Sequence, residues 1–152
     1  MVPRGRKKKK KSARVAESAV RYLPRRLLLD THVWIWWYTG DERLGRAARS
    51  LIKNASDVHI SAASAWEMAI KRRLGKLAFD DTLDLGAEIE RDGLTELPIT
   101  VAHAEATLAL PAAHRDPFDR MLIAQAQTEG LAIVTADDAL AGYDVPIVNA
   151  RD

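Results

Sequence analysis

Residues 26–40 read Arg-Leu-Leu-Leu-Asp-Thr-His-Val-Trp-Ile-Trp-Trp-Tyr-Thr-Gly, and the fold follows from how this stretch divides. Leu27 to Leu29 form a short, wholly apolar run, which predicts a strand buried on both faces and closed by Asp30. Thr31 to Tyr38 is apolar almost throughout and predicts a helix stopped at Thr39-Gly40. The same alternation recurs downstream. Leu44 to Ile52 has the spacing of an amphipathic helix, Val58-His-Ile60 reads as a second strand, and Ser61 to Leu74 as a helix closed by Gly75. Thr82 to Arg91 predicts a further helix, Leu94 to Ile99 a third strand, and Thr100 to Leu110 another helix. Asp116-Pro117 opens a long helix through Glu129, with Gly130 as its cap. Leu131 to Val134 and Val145 to Val148 complete five strands. Short apolar strands alternating with helices predict an α/β fold, a three-layer α/β/α sandwich around a central, mostly parallel sheet of about five short strands.

The 152 residues suit one domain with a real core. Hydrophobic residues make up 47% and charged residues 29%, which argues against wholesale disorder. No apolar run reaches the roughly 18 residues of a membrane span, and no signal-peptide pattern opens the chain, so a cytoplasmic location is expected. The absence of cysteine excludes disulfides, thiolate zinc sites and a cysteine nucleophile. The net charge of +2 conceals an asymmetry: residues 1–26 carry eleven Lys/Arg against Glu17, a net of +10, and the remainder carries 12 basic and 20 acidic residues, a net of −8. Residues 1–26 are therefore expected to be a basic, disordered leader, and 27–152 the folded domain. As a phosphate-seeking arm the leader would add sequence-independent affinity for nucleic acid; the preferred reading is a solvated segment.

In an open α/β sheet, ligands bind beyond the carboxyl ends of the strands. Acids dominate there: Asp30 after strand one, Glu67 in the helix after strand two, Asp116 and Asp119 in the first turn of the long helix, Asp137 and Asp138 after strand four. Converging carboxylates repel unless a cation sits among them, and oxygen-only ligands suit Mg²⁺ or Mn²⁺. Such a site can hydrolyse a phosphodiester. Each acid also has a structural reading. Asp30, Asp116 and Asp137 or Asp138 could cap helices, Asp119 suits a positive helix end, and Glu67 could form a capping box with Ser64 or pair with Lys71. Asp116 is read mainly as a cap. No Gly-x-Gly-x-x-Gly or Walker loop is present, and Leu-Asp-Thr-His lacks the second acid of an Asp-x-Asp nucleophile motif. His32, His59, His103 and His114 lack metal-ligand spacing and read as packing or surface residues, with His32 nearest the acids.

Four segments in order carry a resemblance: Leu28-Leu-Asp-Thr-His-Val-Trp34, Ser61-Ala-Ala-Ser-Ala-Trp-Glu67, Asp116-Pro-Phe-Asp-Arg-Met-Leu-Ile-Ala-Gln-Ala126 and Leu131-Ala-Ile-Val-Thr-Ala-Asp137. Together, over about residues 27–149, they resemble a PIN-domain ribonuclease, specifically a VapC-type toxin of a type II toxin–antitoxin pair. The resemblance implies a quartet of Asp30, Glu67, Asp119 and Asp137 binding Mg²⁺ or Mn²⁺. Asp119 is taken over Asp116 because it directly precedes Arg-Met-Leu-Ile-Ala, and Asp138 is the alternate for the last acid. Thr31 and Thr135 match the family's hydroxyls beside the first and fourth acids. The implied reaction is hydrolysis of an RNA phosphodiester by metal-activated water. Arg120, Lys71, Arg72, Arg73 and Lys76 are candidates for RNA phosphates, although the last four read first as a solvated helix face. The leader departs from the pattern. The resemblance also implies a VapB-like antitoxin and a homodimer.

Two other functions fit the same residues: a non-catalytic RNA-binding or regulatory module that keeps the fold, and a nuclease for DNA or flap substrates. In Val33-Trp-Ile-Trp-Trp-Tyr38, the helical wheel puts Trp34, Trp37 and Tyr38 on one face and Trp36 elsewhere. The apolar surplus predicts a protein interface on this helix.

Overall fold

A computed structural model describes residues 24–77, 82–112 and 116–152. The basic leader therefore lies, over residues 1–23, outside the described part, as do residues 78–81 and 113–115, His114 among them. The strands are β1 (Arg26–Leu29), β2 (Asp57–Ser61), β3 (Thr95–Leu97), β4 (Ala132–Thr135) and β5 (Ile147–Asn149). The helices are α1 (Thr31–Thr39), α2 (Arg46–Asn54), α3 (Ala62–Arg73), α4 (Leu85–Arg91), α5 (Val101–Ala106) and α6 (Pro117–Glu129). Short 3₁₀ turns occupy Thr107–Ala109 and Asp138–Gly142. The sheet order is β3-β2-β1-β4-β5, and every pairing is parallel.

β1 is central, and its leucines show why. Leu27 and Leu29 pack into one core with Val33, Trp34, Trp36, Ala48, Ile52 and Ile89. Leu28 packs into a second core with Leu122, Ile123, Leu131 and Ile133. Alternate side chains thus enter opposite layers, α1, α2 and α4 covering one face and α5 and α6 the other. The expected sandwich is formed.

Element ends differ from the sequence reading for local reasons. The helix expected from Thr82 begins at Leu85, because the Asp84 side chain accepts from Ala87 N–H and caps it there. β3 stops at Leu97, where Pro98 supplies no N–H to continue the ladder. The helix over 100–110 tightens into 3₁₀ at Thr107.

The tryptophan-rich helix is corrected. Trp36 is buried along with Trp34, and Trp37 packs partly into the same core. Two elements account for it: α2 sends Arg49 over Trp37, and the 41–44 turn sends Arg43 over Trp36, 5.0 Å from its ring centre. Covered from two sides, α1 buries Trp34 and Trp36 and leaves Ile35, Trp37 and Tyr38 partly exposed. A more exposed apolar stripe runs along α3 to its C-cap, where Trp66, Ile70 and Leu74 follow each other at four-residue spacing.

Candidate active site

β1 and β4 are neighbours, in register Leu29 to Val134, so the acids that follow them open at one edge of the sheet. Asp30 is only 3% exposed, and a carboxylate so deep requires donors. Thr31 N–H donates to its Oδ1 at 2.7 Å, and Thr135 Oγ1 donates to Oδ2 at 2.7 Å. His32 Nδ1 lies 3.5 Å from Oδ2. Asp30 is also the N-cap of α1, so its structural and chemical readings coexist. The described partners are two neutral donors and an imidazole.

Thr135 does more than hold Asp30. Its Oγ1 accepts from Asp137 N–H at 3.0 Å, which fixes the turn that carries the next acid. Asp137 Oδ1 accepts from Ala139 N–H and caps the 3₁₀ turn. Asp138, first in that turn, is exposed.

Glu67 stands on the second turn of α3, half-buried and 4.0 Å from Lys71. Ser64 does not form the capping box expected with Glu67. The N-cap is Ser61, whose Oγ accepts from Ala63 N–H, and Ser64 lies inside the helix with its Oγ accepting from Thr31 Oγ1 at 2.9 Å. That buried bond pins the start of α1 to α3. Ser61 Oγ in turn donates to Gln125 Oε1 at 2.5 Å, tying α6 into the same corner.

Asp116 caps α6, its Oδ1 accepting from Phe118 and Asp119 N–H groups, as the sequence suggested. Asp119 is half-buried in the first turn. Beside these acids Trp66 and Phe118 meet edge to face, ring centres 5.3 Å apart, so α3 and α6 touch next to Glu67 and Asp119. Arg120 holds structure here: Nη1 donates to Pro111 O at 2.7 Å and Nη2 to Thr107 O at 3.0 Å. Arg72 Nη1 reaches Leu83 O, whereas Arg73 and Lys76 are exposed.

The four acids stand on segments that meet at one sheet edge. Among the described residues, no three Asp, Glu or His side chains stand close enough together to hold an ion in this arrangement; Asp137 serves its own turn, and Glu67 lies beside Lys71. The donor chemistry nonetheless fits a hard divalent cation, since every acid offers oxygen and Asp30 is supported by neutral donors.

The residue that sequence reading left without a role is His32. Its ring bridges the two strand ends, Nε2 accepting from Ala136 N–H at 3.0 Å. The available signal was its position two residues after Asp30.

Residues 27–146 match the family model of the PIN domain. The chain is 29% identical over 121 residues to Ribonuclease VapC22 of Mycobacterium tuberculosis, spanning 79% of this chain and 93% of that protein. It superposes on a toxin–antitoxin complex from Klebsiella pneumoniae with a TM-score of 0.57 at 18% identity, covering 82% of this chain and 97% of that one. VapBC2 from Rickettsia felis, bound to a DNA fragment from its promoter, gives a TM-score of 0.61 at 14% identity over 81% and 97%.

Proposed function

Because the chain belongs to the PIN domain family, we propose that it is a divalent-metal-dependent endoribonuclease acting as the toxin of a toxin–antitoxin pair. One observation carries the reading: a buried carboxylate, Asp30, at the carboxyl end of the central strand, met by a neutral donor at each oxygen. The relative named a ribonuclease and the solved toxin–antitoxin complexes support it.

Asp30, Glu67, Asp119 and Asp137 would hold Mg²⁺ or Mn²⁺. When bound, the ion supplies acidified water and neutralises charge on the phosphate under attack. The chain's own part is positioning. Thr31 N–H and Thr135 Oγ1 take one lone pair from each Asp30 oxygen and leave each with further acceptor capacity. Thr135 couples Asp30 to the Asp137 turn, and the Thr31–Ser64 bond holds α3, and with it Glu67, against the start of α1. Exposed Arg73 and Lys76, with Lys71 beside Glu67, would meet RNA phosphates around the acids.

The partners proposed are an RNA substrate, a VapB-like antitoxin and a second copy of the chain. The α3 stripe of Trp66, Ile70 and Leu74 is the surface that supports the homodimer. No described helix is long and apolar enough to cross a membrane, and a cytoplasmic location is part of this proposal.

Cleavage of RNA and DNA strands, compared side by side with Mg²⁺, Mn²⁺ or EDTA, tests the reading. RNA cleavage abolished by EDTA and by Asp30→Asn or Asp119→Asn is expected. Metal-independent cleavage, or full activity in both variants, refutes it.

A further inference from the structure

We propose that His32 is a positioning residue that sets the spacing between Asp30 and Asp137 through the bond it accepts from Ala136. The inference rests on reading those two acids as members of the site. Ala136 N–H donates to Nε2 at 3.0 Å, so Nε2 carries a lone pair and the neutral ring holds its proton on Nδ1. Nδ1 then faces Asp30 Oδ2 at 3.5 Å, a long contact. The strong arm of the bridge is the one to Ala136.

The ring closes a polar circuit. Asp30 accepts from Thr135 Oγ1, Thr135 Oγ1 accepts from Asp137 N–H, and Ala136, between those two residues, donates to the ring that faces Asp30. Two consecutive backbone N–H groups of the 135–137 turn are thereby held by side chains, one from β4 itself and one from α1. Without the imidazole, Ala136 N–H loses its partner, and the Thr135 bond to Asp137 N–H is left as the side-chain tie between this turn and Asp30.

The ring itself is fixed from behind. Trp36, one turn on in α1, meets it edge to face with ring centres 5.0 Å apart. Arg43 covers Trp36, and the Asp41 carboxylate pairs with Arg43 at 2.7 Å. His32, a third exposed, thus rests on Trp36 while one ring nitrogen bonds Ala136 and the other faces Asp30. Loss of a group that orients a metal ligand commonly costs roughly 10–100-fold in metal affinity.

Two substitutions separate the arms. A glutamine carries its Oε1 to about the reach of Nε2, whereas an asparagine ends near Nδ1. His32→Gln restores an acceptor for Ala136; His32→Asn and His32→Ala do not. In the metal-free full-length protein, NMR is expected to show the neutral Nδ1–H tautomer for His32. Ala136 amide exchange should stay protected in wild type and His32→Gln and be exposed in His32→Asn. Calorimetric titration with Mn²⁺ alone should give affinities within about twofold for wild type and His32→Gln, and a loss of about tenfold for His32→Asn.

Equal Mn²⁺ affinity in both variants, or unchanged Ala136 protection in His32→Asn, overturns the proposal. If wild type binds no Mn²⁺, the positioning role falls together with the metal site. The expected pattern in a protein that cleaves no RNA would uphold the positioning role and remove the nuclease reading instead.

Discussion

Thr135 and Asp41 show how much a single side chain can decide. Thr135 is buried and serves two neighbours with one hydroxyl, donating to Asp30 and accepting from Asp137 N–H. Thr135→Val keeps the shape and deletes both bonds. Leaving a buried carboxylate oxygen and an amide short of partners should cost about 1–3 kcal/mol in urea unfolding. Nuclease activity should fall with it, and a variant as stable as wild type would show that water replaces the hydroxyl. At Asp41, hydrogen bonds from the Arg43 side chain, then from its backbone N–H, lower the carboxyl from 3.8 to about 2. A depressed carboxyl favours the folded state above its unfolded value, and that contribution is lost as pH falls from 3.8 through about 2. Arg43→Ala should move the Asp41 midpoint up towards 3.8 in a carbon-13 NMR titration. A midpoint still near 2 would place the cause elsewhere.

Among the elements, β1 was legible at once because three leucines and an acid admit little else, and α6 because Asp116-Pro117 and Gly130 mark both its ends. α1 was legible as a helix but not in its surroundings. A helical wheel gives the direction of Trp36 and says nothing of the 41–44 turn that folds over it. The acids could be placed at strand ends from sequence, since topology alone takes them there. Their hydrogen bonds could not, because Thr135 to Asp30 spans 105 residues of chain. His32 escaped for the same reason: its partner, Ala136, is a backbone amide without a sequence signature. Gly45 is a further case. A Cβ there would lie 2.0 Å from Asp152 O, the atom that accepts from Ala48 N–H in the first turn of α2. Gly45→Ala should therefore displace the 150–152 segment and cost about 1–3 kcal/mol, read as a lower thermal midpoint. An unchanged midpoint would mean that segment shifts without penalty.

At the scale of the whole molecule, the α3 stripe stands outside both cores among the described residues, as do the exposed Val101 and Leu108. Leu74 is 61% exposed, so Leu74→Glu should barely affect folding. If copies pair through this face, sedimentation at micromolar concentration should shift from dimer towards monomer with the thermal midpoint nearly unchanged. A variant that sediments like wild type would move the pairing surface elsewhere. The sheet supplies the complementary restriction. Its outermost strands, β3 and β5, are three residues long, with Pro98 directly after one and Pro146 directly before the other. Rims this short, each flanked by a residue without an N–H, offer a passing chain almost no ladder to extend. Crowded copies are thereby denied the strand-to-strand route into fibrils, and what assembly the molecule undertakes is left to its helices.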